Sequence, residues 1–244
     1  MYKDTFRLDK KTALITGGSR GIGKELVKSF MHESGHKIVA ISRNFAALET
    51  LKTECDAFSG KSELMLISLD LGKENFTSEL SKLIPTGFAP VDILINNAGL
   101  LINKSFSKIT AQDFDHIFNV NVKGPFQLIQ FLLPLFKPGS HIINIGSMGG
   151  FQGSAKFPGL SVYSASKGAL AILTECLAEE LKDQDIKVNC LALGSVQTEM
   201  LMDAFPGYQA PVQPDELAKF IMEFAVNGHH FINGKILPLS LSTP

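Results

Sequence analysis

The stretch that decides the fold is Thr16-Gly17-Gly18-Ser19-Arg20-Gly21-Ile22-Gly23. It follows the apolar run Thr12–Thr16, which predicts a buried strand, and it opens into a segment whose apolar residues recur at the spacing of one helix face. Glycines suit such a turn because they let the backbone bend sharply and let a phosphate approach it closely. The helix N-terminus adds free N–H donors and a partial positive charge. We interpret the stretch as a dinucleotide-binding turn, although three glycines here would also suit a tight packing turn.

The same alternation of apolar strands and helical segments continues along the chain. Further strands are predicted over Lys37–Ser42, Leu64–Leu69, Val91–Asn96, His141–Ile145, Lys187–Leu193 and Gly234–Leu239. Helices are predicted over Gly21–Ser34, Phe45–Ala57, Glu74–Ile84, Ala111–Val120, Gly124–Phe136, Val162–Lys182 and Pro214–Val226. Continuous apolar strands between helices are typical of a parallel sheet covered on both faces. The sequence therefore predicts an α/β fold: a single doubly wound Rossmann domain over residues 1–244, with a parallel seven-stranded sheet.

Composition and charge exclude several functional classes. Lys and Arg total 23 and Asp and Glu total 24, so a net charge of −1 gives no electrostatic reason to expect nucleic acid or a membrane surface as partner. The N-terminal residues Met1–Lys11 do not resemble a secretory signal, and the longest apolar stretch, Leu128–Phe136, is too short to span a bilayer. Three scattered cysteines and six histidines without ligand spacing predict neither a disulfide framework nor a metal site. We expect a cytoplasmic protein.

The end of the second predicted strand indicates which dinucleotide binds. A cofactor without a 2′-phosphate is usually held by an acid about 20 residues beyond the glycines. Here Ser42, Arg43 and Asn44 occupy that place, and no acid is nearer than Glu49. Arg43 can donate two hydrogen bonds to a 2′-phosphate, and Arg20 adds a second positive charge. This pattern favours NADP(H) over NAD(H), the alternative being two solvated surface arginines.

A possible catalytic group begins the long helix near residue 162. Tyr163 and Lys167 are four residues apart, which places both on one helix face. A neighbouring ammonium, together with a cationic cofactor, would lower the pKa of a phenol and suit it to general acid–base catalysis. Ser147 follows the fifth predicted strand and could bond the same substrate oxygen. A Tyr-x-x-x-Lys pair also occurs on ordinary surface helices, and no Gly-x-Ser-x-Gly elbow points to a hydrolase.

Taken together, these motifs resemble the short-chain dehydrogenase/reductase family. The matching signatures, in the family's order, are Thr16-Gly17-x-x-x-Gly21-x-Gly23, Asn96-Asn97-Ala98-Gly99, Ser147, and Tyr163-x-x-x-Lys167, with Asn121 as a fourth catalytic candidate. The similarity runs from about Lys10 to Leu239, and it is nearest to NADP(H)-preferring members similar to 3-oxoacyl-ACP reductases and sepiapterin-type reductases.

The resemblance implies a role for each of these residues. Tyr163 would exchange the proton, Ser147 would polarise the substrate oxygen, and Lys167 would lower the pKa of Tyr163 and bond the nicotinamide ribose. Asn121 would kink its helix and hold a water molecule of a proton relay. The residues implied in cofactor binding are Gly17, Ser19, Arg20, Gly21, Ile22, Gly23, Ser42, Arg43, Asp70, Leu71, Asn97, Ala98, Gly99, Tyr163, Lys167, Gly194, Val196 and Thr198.

The sequence departs from the family pattern at three places. Leu193 stands where the family usually has proline. The loop Met148–Val162 is slightly long, and it either shapes the substrate mouth or is a tolerated surface insertion. The tail Pro238–Pro244 replaces the usual glycine-ending tail, which puts any subunit contact built by that tail in doubt.

Two further segments bear on substrate and assembly. The segment Glu199–Gln213, called the lid below, is apolar and lacks Lys and Arg, which favours a hydrophobic carbonyl compound; its apolar residues could equally contact the neighbouring core. The segment Phe118–Phe136 is apolar on more than one face, which fits the family's tendency to form homodimers and homotetramers.

The sequence therefore predicts an NADP(H)-dependent oxidoreductase that reduces a small-molecule ketone or aldehyde. A catalytically silent NADP(H)-binding sensor or scaffold is the alternative from another class, and the intact set of four catalytic candidates argues against it. Epimerase or dehydratase chemistry on nucleotide sugars is disfavoured by the short C-terminal portion. The physiological substrate does not follow from these motifs, because several reductase types of the family share them.

Overall fold

The computed structural model describes residues 10–33, 35–58, 61–85, 88 and 90–241. Its strands are β1 (Thr12–Thr16), β2 (Lys37–Ser42), β3 (Glu63–Ser68), β4 (Val91–Asn96), β5 (Phe136–Ser147), β6 (Lys187–Leu193) and β7 (Ile236–Leu239). Its helices are α1 (Gly21–His32), α2 (Phe45–Asp56), α3 (Phe76–Leu83), α4 (Ala111–Phe118), α5 (Gly124–Leu132), α6 (Ser161–Glu180), α7 (Glu199–Ala204) and α8 (Pro214–Asn227). Residue 34, where the first helix was predicted to end, and residues 1–9 and 242–244 lie outside the described residues.

The seven strands form one parallel sheet in the order β3-β2-β1-β4-β5-β6-β7. The chain moves outward from β1 to β3, returns to β4 on the other side of β1, and then moves outward again. This reversal between β1 and β4 creates a crevice beyond the carboxyl ends of the strands, where ligands bind in folds of this type. The predicted doubly wound α/β fold is confirmed, while the assignment of residues 1–244 to a single domain stays a prediction.

The sheet separates two apolar cores. Ala13 and Ile15 of β1 face one side, where they join the buried residues of α1, α2 and α8. Leu14, which lies between them in the sequence, faces the other side and joins the buried residues of α3, α5 and α6. Alternate residues of one buried strand therefore serve both cores, which is why β1 is a continuous apolar run.

The structure corrects the predicted elements at three places, one of which is β5: it begins at Phe136, five residues before the predicted strand His141–Ile145, and ends at Ser147. The predicted helices 111–120 and 124–136 are joined by a π-helical turn, Asn119–Lys123, and α5 ends at Leu132. Pro134 lacks a backbone N–H and cannot continue the α-helix, so a 3₁₀ turn leads directly into β5. The short helix α7 was not predicted, because its six residues lie in a segment that was interpreted only as a lid. Within the described residues, each helix is too short or too polar to cross a bilayer.

Candidate active site

A cavity of about 520 Å³ lies at the carboxyl edge of the sheet. The predicted cofactor-binding residues that line it are Gly17, Ser19, Arg20, Gly21, Ile22, Ser42, Arg43, Asp70, Leu71, Asn97, Ala98, Gly99, Tyr163, Lys167, Gly194, Val196 and Thr198. Ser147 lines the same cavity, so three of the four catalytic candidates lie there together with these residues. Gly23 and Asn121 are the predicted site residues that do not line it.

The glycine turn forms one end of this cavity. Gly17 and Gly21 have φ angles of 68° and 52°, in the left-handed region that favours glycine. Gly23 lies beneath the turn, and a Cβ atom on it would overlap the carbonyl oxygen of Gly17. Whether Gly23 also contacts the cofactor stays a prediction. Its role is to let α1 pack closely against the turn that carries Gly17.

Thr16, at the carboxyl end of β1, holds the turn against β4, and the sequence interpretation did not assign it this role. Its buried Oγ1 accepts hydrogen bonds from the backbone N–H groups of Asn97 at 3.0 Å and Ala98 at 2.9 Å. In return, the side-chain amide of Asn97 donates to the carbonyl oxygens of Thr16 at 3.0 Å and Gly17 at 3.3 Å. The hydroxyl at the end of the strand was the available signal, but its two partners are some 80 residues away in the chain.

Two arginines border the end of the cavity beyond β2. The hydroxyl oxygens of Ser19 and Ser42 lie 2.6 Å apart and link the glycine turn to the end of β2. Arg43 follows directly, is exposed, and has no carboxylate within ion-pair distance among the described residues. The guanidinium of Arg20 lies 3.9 Å from the carboxylate of Asp203 in α7. Guanidinium groups at this end of the cavity suit a phosphate group.

The turn after β3 forms the adjacent wall. The carboxylate of Asp70 accepts a hydrogen bond from the backbone N–H of Gly72 at 3.0 Å, which fixes the turn, and Leu71 is buried beside it. Together with Ala98, these residues give this wall one polar and two apolar groups.

The catalytic candidates meet in the middle of the cavity. Ser147 ends β5, and its Oγ accepts a hydrogen bond from the backbone N–H of Gly149 at 3.1 Å. Tyr163 and Lys167 lie on the first turns of α6, with the Lys167 ammonium 5.9 Å from the centre of the Tyr163 ring. The Lys167 ammonium donates to the carbonyl oxygen of Ile145 at 2.7 Å. Strand β5 and helix α6 therefore present a hydroxyl, a phenol and an amine to one space.

Burial controls the ionisation of both α6 side chains. It raises the pKa of Tyr163 to about 12, although a hydrogen bond with Ser147 acts in the opposite direction. It lowers the pKa of Lys167 to about 8. In the chain itself, loss of hydration outweighs the hydrogen bond with Ser147, and the ammonium of Lys167 is bonded to the carbonyl oxygen of Ile145. The expectation that Lys167 and a bound cofactor together lower the pKa of Tyr163 stays a prediction. At neutral pH the phenol holds its proton.

Asn121 lies behind the cavity, in the π-helical turn between α4 and α5. Its side-chain oxygen accepts from the backbone N–H of Leu100 at 2.7 Å, and its amide donates to the Leu100 carbonyl at 2.9 Å and to Ser166 Oγ at 3.0 Å. Asn121 therefore fixes the chain after β4 to α6. The helix is irregular at this residue, as the resemblance implied.

The remaining wall of the cavity is apolar. It is formed by Leu101, Met148, Ala155, Phe157, Leu160, Leu193, Met200, Leu201 and Phe205. The loop 148–162 thus shapes the mouth instead of being a remote insertion, and the lid contributes four of its apolar or aromatic side chains, including Tyr208. The one charged residue of the lid that lines the cavity, Glu199, lies beside Gly21 at the glycine turn.

The C-terminal tail also reaches this cavity. The carbonyl oxygen of Leu239 accepts a hydrogen bond from the backbone N–H of Gly194 at 2.8 Å, and Ser240 packs against Gly194. The departure of the tail from the family pattern therefore affects the site itself.

Within the described residues, His, Cys, Asp and Glu side chains form no group of three or more that could hold a metal ion.

The chain is similar to known oxidoreductases over most of its length. A sequence model of the short chain dehydrogenase family matches residues 11–209. A probable tetrahydroxynaphthalene reductase from Zymoseptoria tritici is 28% identical, over 97% of this chain and 95% of that protein. Carbonyl reductase 2 from Sus scrofa, whose name specifies NADPH, is 35% identical over 77% of this chain and 72% of that protein. A 3-ketoacyl-(acyl-carrier-protein) reductase from Brucella melitensis, crystallised with NADH, superposes with a TM-score of 0.80 at 28% identity, covering 95% of this chain and 97% of that one.

Proposed function

The chain belongs to the short-chain dehydrogenase family and is an NAD(P)-dependent oxidoreductase, and we propose that it uses NADPH to reduce a hydrophobic ketone or aldehyde to an alcohol. The observation that carries the proposal is the meeting of Ser147, Tyr163 and Lys167 in a cavity that begins at the glycine turn. A dinucleotide bound along that cavity would end beside these three side chains.

The residues of the cavity fit such a cofactor. The positive φ angles of Gly17 and Gly21 leave the turn open to a pyrophosphate, and the N-terminus of α1 adds its free N–H groups. Arg43, with Arg20 beside it, would hold a 2′-phosphate, which supports NADP(H) over NAD(H). The cofactors of the compared proteins include both types, so this preference depends on the arginines. When bound, a reduced nicotinamide supplies the hydride for the carbonyl carbon.

The chain's own residues supply the proton. Tyr163 holds its phenolic proton at neutral pH and can donate it to the carbonyl oxygen as that oxygen gains negative charge. Ser147 donates a hydrogen bond to the same oxygen and keeps it facing Tyr163. The ammonium of Lys167 stabilises the phenolate that forms and can return a proton to it, since burial lowers its pKa to about 8. Asn121, through Leu100 and Ser166, keeps α6 in position.

We propose an uncharged, hydrophobic substrate. The apolar wall of the cavity is formed by side chains such as Phe157, Phe205 and Met200. The charged lining residues of the described chain lie towards the cofactor end or belong to the catalytic group. A substrate carboxylate or phosphate would therefore lose hydration without gaining an ionic partner in this wall.

We also propose that two copies of the chain pair through α4, α5 and α6. Phe114 and Phe126 are each 44% exposed, and Ile172 is 59% exposed, beside a groove of about 300 Å³ that is lined in part by Phe118 and Leu173. Several large apolar side chains exposed on adjoining helices favour burial against a like surface. A homodimer through this face, alone or within a homotetramer, agrees with the sequence prediction. A location in the cytoplasm stays a prediction.

Replacement of the proton donor tests the proposed function. Tyr163→Phe should lower kcat for NADPH-dependent ketone reduction by about 100-fold or more, because the aromatic ring stays and only the acidic hydroxyl is lost. Binding of NADPH, followed by its fluorescence, should change little. Tyr208→Phe is the matched control: it removes a phenolic hydroxyl from the lid side of the same cavity and should change kcat only severalfold. Equal turnover by Tyr163→Phe and the wild-type protein would remove Tyr163 from the mechanism.

A further inference from the structure

One exposed side chain, Asn103, contacts both of the other segments that surround the cavity mouth. It belongs to the chain between β4 and α4, and its amide donates a hydrogen bond of 2.8 Å to the carbonyl oxygen of Ala204, the last residue of α7. Its side-chain oxygen lies directly over Gly159 of the loop 148–162, so closely that a Cβ atom on Gly159 would overlap it. The lid, the loop and the segment after β4 thus meet at one residue.

Contacts of the next residue, Lys104, hold the segment that carries Asn103 in position. The backbone N–H of Lys104 donates to the carbonyl oxygen of Gly159 at 3.1 Å. The ammonium of Lys104 lies 2.6 Å from the carboxylate of Asp113, which also forms a capping box with Thr110 at the start of α4. Asn103 therefore projects from a segment that is anchored to a helix terminus, and it can act as a firm support for the lid.

The other contacts of the α7 end of the lid are weaker. Arg20 and Asp203 are 3.9 Å apart with side chains 54% and 76% exposed, a geometry in which an ion pair contributes little. Tyr208 reaches Ser195 at 3.1 Å, but this bond lies beyond α7 and is exposed. The hydrogen bond from Asn103, by contrast, is 2.8 Å long and joins α7 directly to the opposite side of the mouth.

We propose that Asn103 is a positioning residue that fastens the lid over the substrate and thereby sets the width of the cavity mouth. It touches neither the reacting atoms nor the cofactor end of the cavity. Its effect is on substrate size: with the lid fastened, Phe205 and Leu201 stay close to the loop 148–162, and a broad substrate is disfavoured. The consequence for substrates rests on the proposed carbonyl reduction, whereas the fastening of the lid does not.

Amide hydrogen exchange of the full chain tests the fastening without any substrate. In Asn103→Ala, peptides that cover residues 199–205 should exchange about 3- to 10-fold faster than in the wild-type protein, as loss of one net hydrogen bond predicts. Peptides that cover β1 and α1 should not change. Ser107→Ala, on the same exposed segment, is the matched control and should leave exchange of the lid unaltered. Equal exchange in Asn103→Ala and the wild-type protein would overturn the proposal.

Gly159→Ala provides a second, independent variant. The added methyl group must displace the Asn103 side chain, so lid exchange should rise as it does in Asn103→Ala. Gly159 has a φ of 87°, so alanine is strained there whether or not Asn103 is present. Gly159→Ala should therefore lower the melting temperature both in the wild-type protein and in Asn103→Ala. Lid exchange should separate the two effects, because Gly159→Ala should accelerate it only when Asn103 is present. Additive effects on lid exchange in the double variant would contradict the proposed contact.

Substrate selection gives the remaining readout. With NADPH saturating, the ratio of kcat/KM for acetophenone to that for 2-acetylanthracene should fall by at least about 5-fold in Asn103→Ala, mainly through KM for the larger ketone. An unchanged ratio alongside faster lid exchange would overturn the role in substrate size. If the wild-type protein reduces no ketone at all, the proposed function fails, and the exchange experiment alone decides whether Asn103 holds the lid.

Discussion

The two halves of the cavity are held together in different ways. The cofactor half is built from partly buried hydrogen bonds between the carboxyl ends of β1 and β4, where Thr16 and Asn97 exchange four bonds of 2.9 to 3.3 Å with each other and their neighbours. The substrate half depends on exposed contacts between loops, such as the bond from Asn103 to Ala204 and the long ion pair from Arg20 to Asp203. The hydrogen bonds of the cofactor half belong to the sheet, whereas the loop contacts of the substrate half can change without disturbing the sheet.

This difference separates what the fold requires from what a substrate requires. A dinucleotide is the same molecule in every enzyme that uses it, so its half of the cavity can be part of the sheet. A substrate pocket formed by side chains on loops can change shape through a few substitutions. We therefore expect substitutions in the cofactor half to alter cofactor binding or protein stability strongly. Substitutions in the substrate half should alter the selection between substrates.

The largest effect is expected where the backbone itself would have to move. In Gly23→Ala the added Cβ overlaps the carbonyl oxygen of Gly17, so the turn and α1 must separate, and NADPH should bind roughly 100-fold more weakly. Fluorescence titration with NADPH measures this directly. Gly168→Ala on α6 is the matched control, since a Cβ there meets the carbonyl oxygen of Gly150 at an ordinary 3.4 Å. Unchanged binding in Gly23→Ala would show that the cofactor half is more adaptable than its hydrogen bonds suggest.

A smaller effect is expected at the exposed rim of the same half. Arg43→Ala should raise KM for NADPH about 10-fold and leave KM for NADH nearly unchanged, because only NADPH carries the phosphate that the guanidinium would bind. Steady-state kinetics with the two cofactors and one ketone give both values. Equal changes for NADPH and NADH would contradict the 2′-phosphate assignment.

The third prediction concerns Lys167, where the two halves meet. Burial lowers its pKa to about 8 from an ordinary 10.5, so below pH 8 a charged Lys167 destabilises the folded state. Lys167→Met should therefore raise the free energy of unfolding at pH 7 by about 1–2 kcal/mol, after loss of the bond to Ile145 is subtracted. Urea titration of the two proteins measures this difference. Between pH 8 and 10.5 the folded wild-type protein has released a proton that the unfolded chain keeps, so wild-type stability rises and the difference shrinks. A difference independent of pH would contradict a burial effect.

The sequence predicted the cofactor half and the catalytic group better than the substrate half. Glycines 17 and 21 are identifiable because backbone geometry demands that residue type, and Tyr163 and Lys167 because helical spacing pairs them. The direction of the pKa shift of Tyr163 was not predictable, since it depends on how much of the surrounding protein excludes water. Nor was the contact of Asn103, which joins residues 101 positions apart and leaves no periodic pattern.

The order of the strands has a consequence for synthesis of the protein on the ribosome. β1 leaves the ribosome before β4, and one of its edges stays unpaired until β4 has emerged some 80 residues later. Tyr163 and Thr198 follow later still, so a nascent chain that already holds the glycine turn lacks most of its pocket. Unpaired apolar strands are aggregation-prone while they wait. Translation pauses placed before residue 91 should therefore favour misassembly, whereas pauses after β7 has emerged and paired with β6 should be harmless.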